Sequence, residues 1–164
     1  MIRLAEPRDI DDVVAIYNQA IAAQFQTAVT EPLAGAQQER WFDMHMQEAY
    51  PMLVYAEGDS VVGWFSIGPY RQGRPALRHT VEISYFIAAS HQGKGIGAQL
   101  LRQGIDTCRQ LGYKTALAII LDKNEGSIRL MEKFGFERWA YLPGVAEFAR
   151  VECGHVYYGL RINE

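Results

Sequence analysis

The stretch TVEISYFIAASHQGKGIGAQLL, Thr80 to Leu101, takes a strand-like β-branched and aromatic run through a glycine-rich turn and directly into an amphipathic helix. Gly93, Gly95 and Gly97 carry no Cβ, so the backbone from Gln92 to Ala98 can curl with its N–H groups inward. The helix that follows adds the positive end of its dipole. A junction built this way holds a phosphate, and the implied guest is a phosphate-bearing cofactor.

Spacing separates the phosphate loops that compete for this segment. A P-loop needs Gly-x-x-x-x-Gly-Lys-Ser/Thr, whereas Lys94 sits between two glycines with no hydroxyl after it. A dinucleotide fingerprint is met in part by Gly93, Gly95 and Ala98, with Asp122 roughly twenty residues on. Against it, Ala88 to Gln92 intervene between strand and turn, and the unit begins only halfway along a chain too short for a doubly wound sheet.

Outward from the loop, helices and strands alternate with no repeat, linker or low-complexity tract, which implies a mixed α/β architecture in one domain over residues 1–164. Ile2 to Ala5 reads as a short strand. Pro7 opens a helix whose Ile10, Val13, Val14, Tyr17 and Ile21 share a core face, with Asp9, Asp11 and Asp12 at its positive end. A helix over Ala36 to Met46 follows, then a hairpin that turns at Glu57-Gly58-Asp59. Strand Val81 to Ile87, helix Ile96 to Leu111, strand Thr115 to Leu121, helix Glu125 to Phe134 and a closing strand near His155 to Arg161 complete the order.

Composition bounds the function. With 164 residues, 49% apolar content and a formal charge of -3, the chain has one core's worth of material and no basic footprint for nucleic acid or an anionic membrane. No apolar run approaches the ~20 residues of a spanning helix, and Met1-Ile2-Arg3-Leu4 does not begin a secretory signal. Cys108 and Cys153 show no metal-type spacing and read as reduced thiols of a cytoplasmic protein; no metal is expected.

Gln92-Gly93-Lys94-Gly95-Ile96-Gly97 matches the Gln/Arg-x-x-Gly-x-Gly/Ala signature of the GNAT family of N-acetyltransferases. His79-Thr80-Val81-Glu82, Gly73-Arg74-Pro75-Ala76, Asn124 with Ser127 and Arg129-Leu130, Glu132-Lys133-Phe134-Gly135-Phe136 and the tail from Leu142 to Arg161 resemble its phosphinothricin and methionine sulfoximine acetyltransferase branch. The resemblance implies a central mixed, mostly antiparallel sheet flanked by helices. It also implies acetyl-coenzyme A as cosubstrate, a small amine as acceptor, and a homodimer.

In that family the pyrophosphate lies on the loop Gln92, Gly93, Lys94, Gly95, Ile96, Gly97 and Ala98, and the strand before it splays from its neighbour. Tyr85, Phe86 and Ile87 would then present free backbone groups to the pantetheine arm, as another strand would. Glu82 corresponds to the glutamate that deprotonates the acceptor amine through a water. Burial beside Val81 and Ile83 would raise its pKa toward the working range; a solvent-facing strand residue is the plainer reading. Asn124 and Ser127 resemble residues at the pantetheine, although Asn124 would also serve as an N-cap. Lys133 would lie near the phosphates or stand solvated on the surface.

The chain departs from the family at Met131, where relatives carry a tyrosine or histidine able to protonate the departing thiolate. Methionine cannot donate a proton; either water protonates the thiolate, a tolerable leaving group at a pKa of ~8.5, or another residue substitutes, with Tyr85, Tyr141 and His155 as unranked candidates. On the acceptor side, Arg74 matches the arginine of the branch's Gly-Arg-Pro-Ala-Tyr-like block, with Arg71 and Arg78 nearby. A guanidinium fork suits a carboxylate or phosphinate; a solvated loop arginine is an equal reading for Arg74 and the favoured one for Arg71 and Arg78. Leu77 replaces the block's tyrosine. Phe25 and Thr27 would line the opposite wall, with core packing an equal reading for Phe25.

Structural roles are expected elsewhere: His45 on a helix surface, His79 in the core, and Trp41, Trp64 and Trp139 as packing anchors. His91, beside the loop, is a further candidate cofactor contact. The expected activity is acetyl transfer to the amine of a small amino acid or analogue, by direct attack with Glu82 as base. A non-catalytic acyl-coenzyme A binding module, or an acetyltransferase acting on a protein amine or an aminoglycoside, is the rival reading.

Overall fold

A computed structural model describes residues 1–164. Its strands are β1 (Ile2–Leu4), β2 (Met52–Glu57), β3 (Ser60–Pro69), β4 (Thr80–Ile87), β5 (Thr115–Leu121), β6 (Glu137–Phe148) and β7 (Val151–Arg161). Its helices are α1 (Ile10–Ala23), α2 (Ala36–Met44), α3 (Ile96–Gln110) and α4 (Glu125–Lys133). The strands form one seven-stranded sheet in the order β1-β2-β3-β4-β5-β7-β6. Only β4 and β5 run parallel; the other neighbours are antiparallel. This is the mixed, mostly antiparallel sheet with flanking helices that the resemblance implied.

The start of the chain is fixed by charge. Asp9 takes both guanidinium nitrogens of Arg3, at 2.7 and 2.8 Å, and accepts the Glu6 amide at 2.8 Å. These bonds, the Arg3 one above all, hold its carboxyl below the usual carboxylate range despite burial. A single 3₁₀ turn, Pro7–Asp9, precedes α1, which begins at Ile10. Val13, Val14, Tyr17 and Ile21 are buried as the pattern required, and Ile10 packs half-buried beside them. On the opposite face of the sheet α3 approaches β3 closely at Gly104. A Cβ there would stand 2.3 Å from the ring of the fully buried Phe65.

Strand β6 was not foreseen, and β7 starts at Val151 rather than near His155. Strand β6 is the edge of the sheet, and all its residues from Glu137 to Val145 are exposed. With no buried face there is no two-residue alternation to read, and its register shifts between Leu142 and Ala146, across Pro143 and Gly144. Helix α2 ends at Met44, short of Met46, so His45 lies beyond it. The His45 ring tilts over Trp41 at 4.4 Å, with Nδ1 2.7 Å from the Trp41 carbonyl oxygen, and burial pushes its pKa down. It is therefore packed rather than on a helix surface. His79 is exposed ahead of β4, not in the core. Trp64 is a buried anchor and Trp41 packs against it, but Trp139 is 47% exposed and lies over Gly159 from the sheet edge.

Candidate active site

The site begins where the sheet comes apart. β4 and β5 pair at Thr80–Thr115, Val81–Ala116 and Glu82–Leu117, and then no further. β3 stays paired with β4 as far as Ile87. From Ile83 to Ile87, then, β4 is an interior strand on one edge and an unpaired strand on the other. Side-chain order in the fork differs by face. Val81 and Ile83 are buried, while Glu82, the last paired residue, is half-buried.

The fork opens into a cleft of about 510 Å³. Tyr85, Phe86 and Ile87 form its strand wall. Gln92, Gly93, Gly95, Ile96, Gly97 and Ala98 form its floor, and Asn124, Ser127 and Lys133 come from α4 and its cap. The structure thus brings together all the expected cofactor residues but Lys94, which belongs to the loop without lining the cleft. Gly93 and Gly95 take φ of 75° and 82°, in the left-handed region, and Gly95 is the N-cap of α3. The first amides of α3 have no helical acceptor, and the cleft meets the helix at that end. His91 also lines it, with Nε2 3.4 Å from a Glu57 carboxylate oxygen.

Sequence reasoning missed Gln26, Gly126, Arg129 and Leu130 as lining residues. Gln26 is brought to the cleft by the path of the loop after α1, which has no sequence signal. Arg129 had one: it precedes Lys133 by four residues, one turn away on the same face of α4.

A smaller recess of about 50 Å³ continues the cleft into the fork. It is lined by Ile83, Ala118, Ile120 and Met131, and it shares Tyr85, Asn124 and Ser127 with the main cleft. Asn124 does cap α4, its Oδ1 accepting the Ser127 amide at 3.3 Å, and it also lines the cleft. The Tyr85 and Ser127 hydroxyls are 2.9 Å apart. Tyr141 donates to an Asp122 carboxylate oxygen at 2.9 Å, and neither it nor His155 lines the cleft or the recess.

Glu82 sits at the closed end of the fork. Its carboxylate makes no side-chain hydrogen bond or ion pair, and burial alone pushes its pKa up from the ordinary value. At the same end of β4 a separate pocket of about 200 Å³ is lined by Arg71, Arg74 and Arg78, with Tyr50 and Thr80 and no acidic side chain. The three arginines line this one pocket, each of them exposed; Phe25 and Thr27 do not join them. The Phe25 ring packs edge-on against Phe148 at 5.0 Å, and the Thr27 hydroxyl is bonded to the Tyr17 hydroxyl at 3.1 Å. Cys108 and Cys153 are buried away from the cleft, and burial pushes the Cys108 thiol up to about 12. No group of three or more His, Cys, Asp or Glu side chains is placed to hold a metal. No helix is long and apolar enough to cross a membrane.

Comparison with known proteins bears on this geometry directly. The profile of the acetyltransferase (GNAT) family matches residues 15–136. A protein of Bacillus subtilis (strain 168), YwnH, whose name assigns it provisionally to the phosphinothricin acetyltransferases, is 38% identical over 89% of each chain. The L-methionine sulfoximine/L-methionine sulfone acetyltransferase of Pseudomonas aeruginosa is 33% identical over 89% of this chain and 85% of its own. Among solved structures, a phosphinothricin acetyltransferase from Sinorhizobium meliloti in complex with acetyl-coenzyme A superposes with a TM-score of 0.92. It is 25% identical and is covered over 98% of this chain and 87% of that one.

Proposed function

The chain belongs to the acetyltransferase (GNAT) family, and from that premise we propose that it moves acetyl from acetyl-coenzyme A to the primary amine of a small amino acid or analogue, of the phosphinothricin or methionine sulfoximine type. The observation that carries this reading is the fork: a strand unpaired on one edge, with a glycine loop and helix N-terminus at its mouth and a half-buried carboxylate at its closed end.

Each part has a chemical task. The pyrophosphate takes the amides of the loop from Gln92 to Ala98, where the helix dipole favours negative charge, with Lys133 and Arg129 alongside. The pantetheine arm lies along Tyr85, Phe86 and Ile87 as a strand surrogate. Its thioester then enters the recess between β4 and β5. Glu82 removes a proton from the acceptor ammonium through a water, and the free amine attacks the acetyl carbonyl. A backbone N–H of the unpaired edge stabilises the oxyanion. Nucleophilic catalysis by cysteine is disfavoured, since both thiols are buried with their pKa values raised.

The acceptor's acid group is assigned to Arg74 on the strength of the convergent arginine pocket at the Glu82 end of β4. Thiol release measured against phosphinothricin, methionine sulfoximine, ordinary amino acids, a polyamine, an aminoglycoside and a peptide tests the reading. Release is expected with the amino acid class; cofactor binding with no release for any amine would make the chain a binding module. Arg74→Ala should raise the acceptor KM by about 10- to 100-fold with kcat little changed, the worth of a charge-assisted bond. An unchanged KM removes Arg74 from the acceptor site.

The same reading includes a homodimer in the cytoplasm. Edge strand β6 leaves its outer ladder unpaired and exposes Trp139, Tyr141, Leu142 and Val145, the kind of edge that a second copy covers. Sedimentation equilibrium should return twice the 18.5 kDa chain mass, and Val145→Asp should shift the distribution to monomer. A monomer throughout the micromolar range discards the pairing.

A further inference from the structure

We propose that Tyr85 is the proton donor to the departing thiolate of coenzyme A, with Ser127 as the residue that positions its hydroxyl; the inference rests on the acetyl transfer proposed above. Met131, fully buried on α4, has no proton to give. Ser127 lies one turn before Met131 on the same helix, and its hydroxyl meets that of Tyr85 at 2.9 Å, across 42 residues of chain. Tyr85, Ser127 and Met131 all line the recess into which the fork leads. The phenol therefore reaches, from β4, the wall that the methionine leaves without a donor. Tyr141 and His155 lie outside both cavities and drop out.

The position of the ring is fixed from two sides. Its edge lies 3.5 Å from where a Cβ on Gly97 would stand, so the glycine loop bounds the ring with room for little more than a methyl between them. The Ser127 amide is in turn held by Asn124 Oδ1 at 3.3 Å. The hydroxyl pair is thus tethered at both ends.

The chemistry balances without any further reactant. The amine lone pair forms the C–N bond, the C–S bond breaks with its electrons on sulfur, and sulfur takes the phenolic proton. The nitrogen gives one proton to Glu82 before attack and, once bonded to carbon, a second to water in the cleft; the phenolate regains a proton from that water, and the proton on Glu82 leaves to solvent. The net products are the N-acetyl amine and the free thiol. An ordinary phenol has a pKa of ~10 and a thiol ~8.5 in water. Burial raises the Tyr85 value and the bond to Ser127 opposes that rise, so the phenol stays protonated at neutral pH. A thiolate forming between Ile83, Ala118, Ile120 and Met131 is also poorly solvated, which raises its own proton affinity and narrows the gap.

The test uses Tyr85→Phe, which keeps the ring against Gly97, and Ser127→Ala. Thiol release is followed with an amine acceptor and also without one, as slow hydrolysis of acetyl-coenzyme A, because a donor acts at sulfur whichever nucleophile attacks. Tyr85→Phe should lower kcat by about 10²-fold in both assays, leave the acetyl-coenzyme A Kd from calorimetry little changed, and abolish the alkaline limb of the kcat profile. Ser127→Ala should cost less and move that limb to higher pH, since it removes the bond that favours the phenolate. If Tyr85→Phe matches wild type in either assay, or its loss appears in cofactor Kd alone, the assignment is overturned. If no amine accelerates release above hydrolysis while Tyr85→Phe still slows hydrolysis, the donor stands and the proposed acceptor reaction falls.

Discussion

Glu82→Gln lowers turnover by about 10² to 10⁴ while acetyl-coenzyme A binds as before. The substitution keeps the shape of the side chain and removes its basicity. Glu82 lines neither the cleft nor the recess that continues it into the fork, so the cofactor contacts are untouched. The pH dependence carries the sharper signature. With no hydrogen-bond or ion-pair partner, the carboxyl is raised by desolvation alone. Wild-type kcat should therefore climb through a pKa above the ordinary carboxylate value and hold until the alkaline limb assigned to Tyr85, and the acid limb should be missing from Glu82→Gln.

Stability should move the other way. A carboxyl whose folded pKa is raised stabilises the fold fully below its unfolded pKa, and that contribution is lost as pH rises through the folded value. The melting temperature of Glu82→Gln should thus gain on wild type across that window and hold its lead at neutral pH. An unpartnered charge at the closed end of the fork is the kind of local cost that active sites carry. Full turnover of the variant at every pH would place the base elsewhere, and a melting difference that ignores pH would mean that the carboxyl is solvated after all.

Legibility in the sequence followed how local each signal was. The turn and α3 could be read because glycine spacing and an amphipathic helix lie within twenty-two residues, Thr80 to Leu101. The unpaired edge of β4 could not be read from its own residues, since a strand's partners are set by what neighbours it. That expectation came from resemblance, and the loss of pairing after Glu82 and Leu117 agrees with it. Strand β6 was silent because an edge exposed along most of its length carries no alternation. The Tyr85–Ser127 pair and the Phe25–Phe148 contact join segments far apart in sequence, and no spacing rule encodes either. Arg71, Arg74 and Arg78 shared a pocket as their closeness in sequence allowed, yet Phe25 and Thr27 turned to Phe148 and Tyr17. The missed Gln26 lies between those two, at the cleft.

Gly95→Val should weaken acetyl-coenzyme A binding by about 10²-fold, with kcat at saturating cofactor nearly kept, the reverse of the Glu82 pattern. Gly95 holds φ of 82°, and nothing lies within 4 Å of where its Cβ would project. Packing therefore does not oppose the valine; backbone handedness does, at ~1–2 kcal/mol for an L-residue and more when β-branched. If the loop relaxes to negative φ it turns an amide away from the phosphates, and losing one or two charge-assisted bonds accounts for the expected loss. Since the strain is local, the melting temperature should fall by only a few degrees. Gly97→Ala separates the two causes. Gly97 is not in the left-handed region, and a methyl there meets the Tyr85 ring and Leu130 at an ordinary 3.5 Å. If Gly97→Ala keeps its affinity while Gly95→Val loses it, the loop needs glycine for its handedness. Equal losses at both would assign the need to close approach of the phosphate. Normal affinity for Gly95→Val would remove the loop from cofactor binding altogether.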